Sequence, residues 1–193
     1  MTYTIYPLYN GAFTVRFGDQ QIFSDIEKIP SFCFLLIGSD DKPILVDTGF
    51  DHNWIPGIRS SAERRPEYEL ETALATHGFS PDDIDLIIQT HLHWDHTGGM
   101  NLFSRARFVI QSRELLYLQQ LPWAEECSFC PAHWLPFLNR FILVNGSAVI
   151  RPGLRVYLTG NHTDGHQVVE VTTSDGSYIL GGDAPFNYDY MWK

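Results

Sequence analysis

The chain has 193 residues, 44% hydrophobic and 19% charged, which is the balance of one folded domain rather than a disordered segment. Its formal net charge of -10 argues against nucleic-acid binding that relies on bulk electrostatics. The opening Met1-Thr-Tyr-Thr-Ile-Tyr-Pro lacks the basic and apolar regions of a signal peptide, no run of about 18 apolar residues can span a membrane, and three cysteines make no disulfide framework, so the expectation is a cytoplasmic protein.

In chain order, Phe32 to Ile37 and Pro43 to Val46 are apolar runs joined by a polar turn, which predicts a hairpin. Asp47 then stands at the carboxyl end of the second strand. Leu70, Ala73, Leu74 and His77 share one face, which predicts a helix over Pro66 to His77 with Gly78 as its stop and His77 as a core histidine. Ser80-Pro81-Asp82-Asp83 reads as a capped helical turn, and Ile84 to Gln89 as a buried strand. Phe108 to Ile110 is a short strand, and Ser112 can cap a helix through about Gln120. Residues 121–140, rich in Trp, Pro and Cys, are expected to be an irregular loop. Phe141 to Val144, Leu154 to Leu158, Gln167 to Thr173 and Tyr178 to Leu180 are further strands, the last two joined through the turn signal Asp175-Gly176. With no internal repeat, this pattern predicts sheets covered by helices in an α/β fold.

The chemistry concentrates where the buried strand ends. His91-Leu92-His93-Trp94-Asp95-His96 packs three imidazoles and a carboxylate into six residues. Those donors suit zinc, iron, manganese and similar divalent ions. On a turn leaving a strand, His91 and His93 can point one way while Asp95 and His96 face another, so one turn can serve two ions. Gly98 and Gly99 are expected to let the backbone turn tightly there. Two later segments at predicted strand ends add donors: His162-Thr163-Asp164-Gly165-His166 and Gly181-Gly182-Asp183. Cys127-x-x-Cys130-x-x-His133 offers only three ligands and is expected to be incidental. Trp123, Phe129, Trp134 and Phe137 can wall an apolar pocket or pack in the core, and His52 and Trp54 can rim the site.

Taken together, Asp47-Thr48-Gly49, His91-x-His93-x-Asp95-His96, His162-Thr163-Asp164-Gly165-His166 and Gly181-Gly182-Asp183 resemble the metallo-β-lactamase superfamily over about residues 32 to 185. The resemblance implies an αββα sandwich, with residues 1–193 forming a single metallo-hydrolase domain. It implies His91, His93 and His162 as ligands of one metal, Asp95 and His96 as ligands of a second, and Asp183 as the bridge. It further implies that Asp47 and His166 support the ligands from behind. Two divalent ions, zinc foremost and iron, manganese or cobalt as alternatives, would then activate a shared water as hydroxide toward a small-molecule carbonyl or phosphoryl group. Asp95 would hand a proton to the leaving oxygen.

Within the superfamily the motifs are most similar to those of N-acyl-homoserine lactonases, which implies lactone opening. Thioester, β-lactam or phosphoester hydrolysis, or a non-catalytic metal-binding chain, are the alternatives. Those lactonases often carry a tyrosine three residues after the bridging aspartate; here Phe186 takes that position, with Tyr188 and Tyr190 out of register, and Phe186 and Tyr188 are the expected substrate contacts. The family also places a final histidine some tens of residues beyond the bridge, whereas no histidine follows His166 here. The expectation is a sandwich incomplete at its C-terminus, a fragment or a chain that a partner completes, with a homodimer as one form.

Overall fold

The computed structural model describes residues 1–14, 16–17, 20–21, 28–39, 42–57 and 60–184, so Phe186, Tyr188 and Tyr190 lie outside the described residues. Its strands are β1 (Tyr3–Thr14), β2 (Arg16–Phe17), β3 (Gln20–Gln21), β4 (Ile29–Gly38), β5 (Pro43–Val46), β6 (Ser61–Glu63), β7 (Leu86–Ile88), β8 (Arg107–Gln111), β9 (Phe141–Val144), β10 (Ala148–Arg151), β11 (Leu154–Leu158), β12 (Gln167–Thr172) and β13 (Ser177–Leu180). The α-helices are α1 (Leu70–Thr76), α2 (Trp94–Thr97), α3 (Ser112–Leu118) and α4 (Pro131–Trp134).

Seven strands form one sheet in the order β6-β1-β4-β5-β7-β8-β9, and four form a second in the order β10-β11-β12-β13. The second sheet is antiparallel throughout, and its strands alternate: in β12, Gln167, Val169 and Val171 point inward and Val168, Glu170 and Thr172 outward. The two sheets pack face to face. Leu36, Ile44, Val46, Ile88 and Val109 of the first close on Leu154, Val156, Val169 and Val171 of the second, all essentially dry. On the other face of the first sheet, Leu35, Leu45, Ile87, Phe108 and Ile110 pack against Leu70 and Leu74 of α1 and the aromatic residues beyond β8. The outer face of the second sheet leaves Val149 and Ile179 exposed.

One topological fact positions the site. β5, β7 and β8 run parallel and adjacent, so their carboxyl ends open on the same edge. The chain leaves β5 at Asp47, β7 toward His91, and β8 into α3. Gln167, at the start of β12, laces the second sheet to that edge: its N–H donates to Thr90 O (2.8 Å) and its side-chain amide to Gln89 O (2.8 Å).

Several expectations are corrected. The predicted helix over Pro66 to His77 breaks at Glu69, whose ψ of 136° is extended, into a 3-10 turn (Pro66–Tyr68) and α1. Ser112 is the first residue of α3 and makes no capping bond; Gln111 is the cap position. Residues 121–140 are not an irregular loop but a succession of short helical turns, Trp123–Ser128, α4 and Leu135–Arg140. The longest strand, β1, gave no apolar run in the sequence, because Pro7 and Asn10-Gly11 interrupt it. It tolerates them through a bulge between Tyr9 and Ala12, where Gly11 has φ 103° and a Cβ would meet Glu63 O at 2.4 Å.

Candidate metal centre

The His91–His96 segment leaves β7 and turns at once into the single turn of α2. Gly98 and Gly99 follow, but with φ of −60° and −95° neither needs glycine for its turn. They are needed for closeness. A Cβ on Gly98 would lie 2.1 Å from Asp51 N, and one on Gly99 2.5 Å from Thr48 O. The two glycines let α2 seat against the Asp47–Asp51 turn, sealed by Gly98 N–H to Gly49 O (2.7 Å) and Thr48 N–H to His96 O (2.8 Å).

This seating brings Asp47 under the histidines. Asp47 lies in the left-handed region, φ 60°, which aims its carboxylate back along the strand ends. One oxygen accepts the Thr90 N–H (2.7 Å). The other accepts the Thr90 hydroxyl (2.9 Å) and lies 2.8 Å from His96 Nδ1. A carboxylate only accepts, so His96 carries a proton on Nδ1, which leaves Nε2 as the nitrogen that can face a metal. Because the Thr90 hydroxyl donates to Asp47, it accepts from His91 Nδ1, 3.0 Å away, which leaves His91 Nε2 unprotonated. Asp47 and Thr90 thus dictate the tautomers of two histidines.

The remaining donors arrive from the second sheet. His162, between β11 and β12, places Nε2 3.0 Å from His93 Nδ1 and 3.5 Å from an Asp183 oxygen. Asp183, just past β13, puts its other oxygen 3.2 Å from His96 Nε2. Asp95 stands beside them, its carboxylate 3.8 Å from His96 Nε2. His166, fully buried, lies one layer out: its Nδ1 is 2.7 Å from the Thr159 hydroxyl and its Nε2 accepts the Asp183 N–H (3.2 Å).

Two groups of donor atoms, each within 4.8 Å of one another, result: His91, His93 and His162, and His91, His96 and Asp183. Ring centroids of His91 lie 4.2 Å from His96, 4.5 Å from His93 and 4.7 Å from His162. Burial first, and then the neighbouring imidazoles, hold His91 and His93 well below the ordinary histidine range. Burial likewise lowers His162. Burial also opposes charge on His96, but Asp183, Asp47 and Asp95 outweigh it and raise its pKa well above the ordinary value. Burial pushes Asp95 up to about 6.

The donor set fits a divalent cation. His91 Nε2 is buried with no hydrogen-bond partner, an expensive state for a ring nitrogen unless it is a lone pair kept for a metal. Neutral imidazoles beside carboxylates are the ligands that zinc and its neighbours take.

The structure thus brings His91, His93, His96, His162 and Asp183 to one point, with Asp95 at its margin and Asp47 and His166 behind. It does not bring Cys127, Cys130 and His133 together as a metal group. Cys130 is buried with Phe13, Phe50 and Trp94, while His133 Nδ1 meets the Thr97 hydroxyl at 3.3 Å. Trp123 is exposed, whereas Phe129 is buried with its ring 4.6 Å from that of His93. His52 is exposed, and Trp54 packs on Trp94 and His133 rather than on the cluster. Thr90, Thr159 and Glu114 support the site, though single polar residues beside strand ends carry no spacing signal to announce them.

Beside the cluster opens a cavity of about 300 Å³. Asp47, Asp95, His96 and Asp183 form its polar wall, and Ile29, Pro30, Phe32 and Phe34 its apolar one.

The metallo-beta-lactamase superfamily model matches residues 27–191, and the chain belongs to that superfamily. Among curated relatives, an N-acyl homoserine lactonase of Bacillus cereus is 31% identical over 164 residues, 79% of this chain. The match covers 62% of that relative, so the chain spans a little under two thirds of its length. Among solved structures, a mutant of the Bacillus thuringiensis lactonase AiiA with N-decanoyl-L-homoserine bound at its active site superposes with a TM-score of 0.75 at 25% identity, covering 94% of this chain and 76% of the other. AidC, a dizinc quorum-quenching lactonase, shares the fold at 18% identity, with a TM-score of 0.68 over 92% of this chain and 70% of its own. No helix among the described residues is long and apolar enough to cross a membrane.

Proposed function

We propose that this chain is a metal-dependent hydrolase that opens lactone rings, with N-acyl homoserine lactones as the favoured substrates. The observation that carries this reading is the meeting of two donor groups around His91 at the mouth of a half-apolar cavity. The lactonase names of the relatives support the substrate class.

In this reading His91, His93 and His162 hold one ion, Asp95 and His96 a second, and Asp183 lies between; zinc is the proposed metal, as in the dizinc neighbour. When bound, such ions acidify a water molecule and polarise the substrate carbonyl oxygen. The chain's own residues do the rest. Asp47 and Thr90 engage Nδ1 of His96 and His91 and so leave Nε2 of each ring to face an ion. Water adds to the lactone carbonyl, the ring C–O bond breaks, and the departing alkoxide oxygen needs a proton. Asp95, beside His96, is the group proposed to carry that proton to the leaving oxygen. Ile29, Phe32 and Phe34 offer the acyl chain an apolar wall. Phe186 and Tyr188 are proposed to complete the substrate contacts.

The test is ring opening by the zinc-loaded chain, followed by proton release, over acyl-homoserine lactones of several chain lengths, with a thioester and a phosphodiester in parallel. Turnover of the lactones, rising with acyl length and abolished by chelation, is the expected result. Turnover of the phosphodiester alone would overturn the substrate class.

A further inference from the structure

Glu114 is a buried carboxylate that the reaction proposed above does not use. It sits in the first turn of α3 with none of its surface exposed. Its oxygens accept three hydrogen bonds, and every donor belongs to a ligand loop: Leu92 N–H to Oε1 (2.9 Å), and the Thr163 hydroxyl (2.6 Å) and Gly165 N–H (3.1 Å) to Oε2. Leu92 stands between His91 and His93, Thr163 follows His162, and Gly165 precedes His166. The second loop presses hard on α3 at this point. A Cβ on Gly165 would lie 2.2 Å from Glu114 N and 2.3 Å from its Cα, so the approach is backbone to backbone and leaves no room for a side chain.

A carboxylate is a costly filler for a dry position, since an apolar residue of similar volume carries no desolvation penalty. Its three donors identify what it does. Oε1 faces the loop of the first sheet, Oε2 the loop of the second, and the rigid carboxylate plane fixes the distance between them.

We propose that Glu114 is a positioning residue of the metal centre: it ties the loop carrying His91 and His93 to the loop carrying His162, and so sets the separation of the donor atoms that hold one ion. That separation is 3.0 Å between His93 Nδ1 and His162 Nε2. The inference rests on the metal-binding reading above. Glu114 touches neither ion nor substrate and acts only through the loops.

The experiment is cobalt(II) titration of the full chain against a competing chelator, recording the d–d absorption, for the wild type, Glu114→Gln and Thr163→Val. Glutamine keeps the length of Glu114 but offers an NH₂ where an oxygen accepted. It is expected to weaken the tighter cobalt site about 10- to 100-fold and to shift its absorption envelope, the range seen when groups that orient metal ligands are lost. Thr163→Val removes one of the three donors at nearly constant shape and should weaken the same site several-fold. Melting of the metal-free proteins separates positioning from bulk stability: the loss of affinity should persist in variants that are folded before metal is added. A folded Glu114→Gln chain with wild-type affinity and spectrum would overturn the proposal. Should that variant not fold, wild-type cobalt binding by Thr163→Val would overturn it equally. A wild type that takes up no cobalt would remove the metal reading itself, and this inference with it.

Discussion

The two loops that meet at the metal centre are held in opposite ways. The loop after β7 leaves a strand buried on every side, and His91 is itself almost wholly buried. Its ligands are aimed by the scaffold: Asp47 from β5, Thr90 from the strand end and Glu114 from α3. The loop after β11 is lighter. His162 is half-buried, and its hydrogen-bonding contacts run to His93 and Asp183, which belong to the site. Asp183 in turn has its amide held by His166. The first loop is pre-organised by the sheet; in the second, Glu114 holds the backbone at Thr163 and Gly165, but the His162 ring is oriented largely by groups of the site. Damage to the first loop should therefore spread across the site, while damage to the second should stay local.

The largest effect is expected from His91→Ala. His91 is the one residue common to both donor groups, so its loss should cost at least one equivalent of metal per chain, measured by mass spectrometry of the loaded protein. His162→Ala should leave the ion held through His96 and Asp183 in place. Equal metal loss from the two variants would erase the asymmetry between the loops.

Asp47→Asn should come next. Asparagine tolerates the left-handed φ of 60°, so the substitution changes the acceptor and leaves the backbone alone. Its NH₂ cannot accept from both Thr90 and His96 Nδ1, and His96 is then free to move its proton to Nε2, the inward nitrogen. A loss of about 10- to 100-fold in zinc affinity is expected. Nitrogen NMR of the His96 ring should report the changed tautomer. Unchanged affinity would mean that the backbone seating of α2 alone orients His96.

The same asymmetry governs how much could be read from the sequence. The first loop was legible because its ligands are contiguous: His91, His93, Asp95 and His96 follow a run of buried strand residues, and their spacing has chemical meaning. Asp47 was legible only beside that motif, since a lone carboxylate after a strand is ordinary. What escaped were contacts made across long stretches of chain. Glu114 lies 22 residues from Leu92 and 49 from Thr163, and in the sequence it is one more acid in the first turn of a helix. β1 escaped because its place in the sheet, between β4 and β6, overrides a local composition of Pro and Gly. The helical turns of residues 121–140 have no regular period, and their form is set by packing over Phe108 and Ala106.

The smallest expected effect tests the second loop on its own, through pH. Burial, and then His162, pull the His166 imidazole down to about 3 in the folded chain. In the unfolded chain it titrates near 6.5. Above 6.5 both states are neutral at this position, and its contribution to stability is complete. As pH falls below 6.5 the unfolded state takes up the proton first, so stability drains away until the folded state also protonates, near 3. By pH 5 the loss from this one group should approach about 2 kcal/mol. The raised pKa of His96 works in the opposite direction, contributing below 6.5 and fading as pH rises through its folded value, so the whole-protein curve mixes both. His166→Gln isolates this contribution, because the glutamine amide reaches the Nε2 position and can still accept the Asp183 N–H but does not titrate. In urea unfolding of the metal-free chain at pH 7 and pH 5, the variant should lose less stability than the wild type over that interval. Identical slopes would show that His166 takes up its proton in the folded state as readily as in water, and that the second loop opens to solvent more freely than its buried geometry allows.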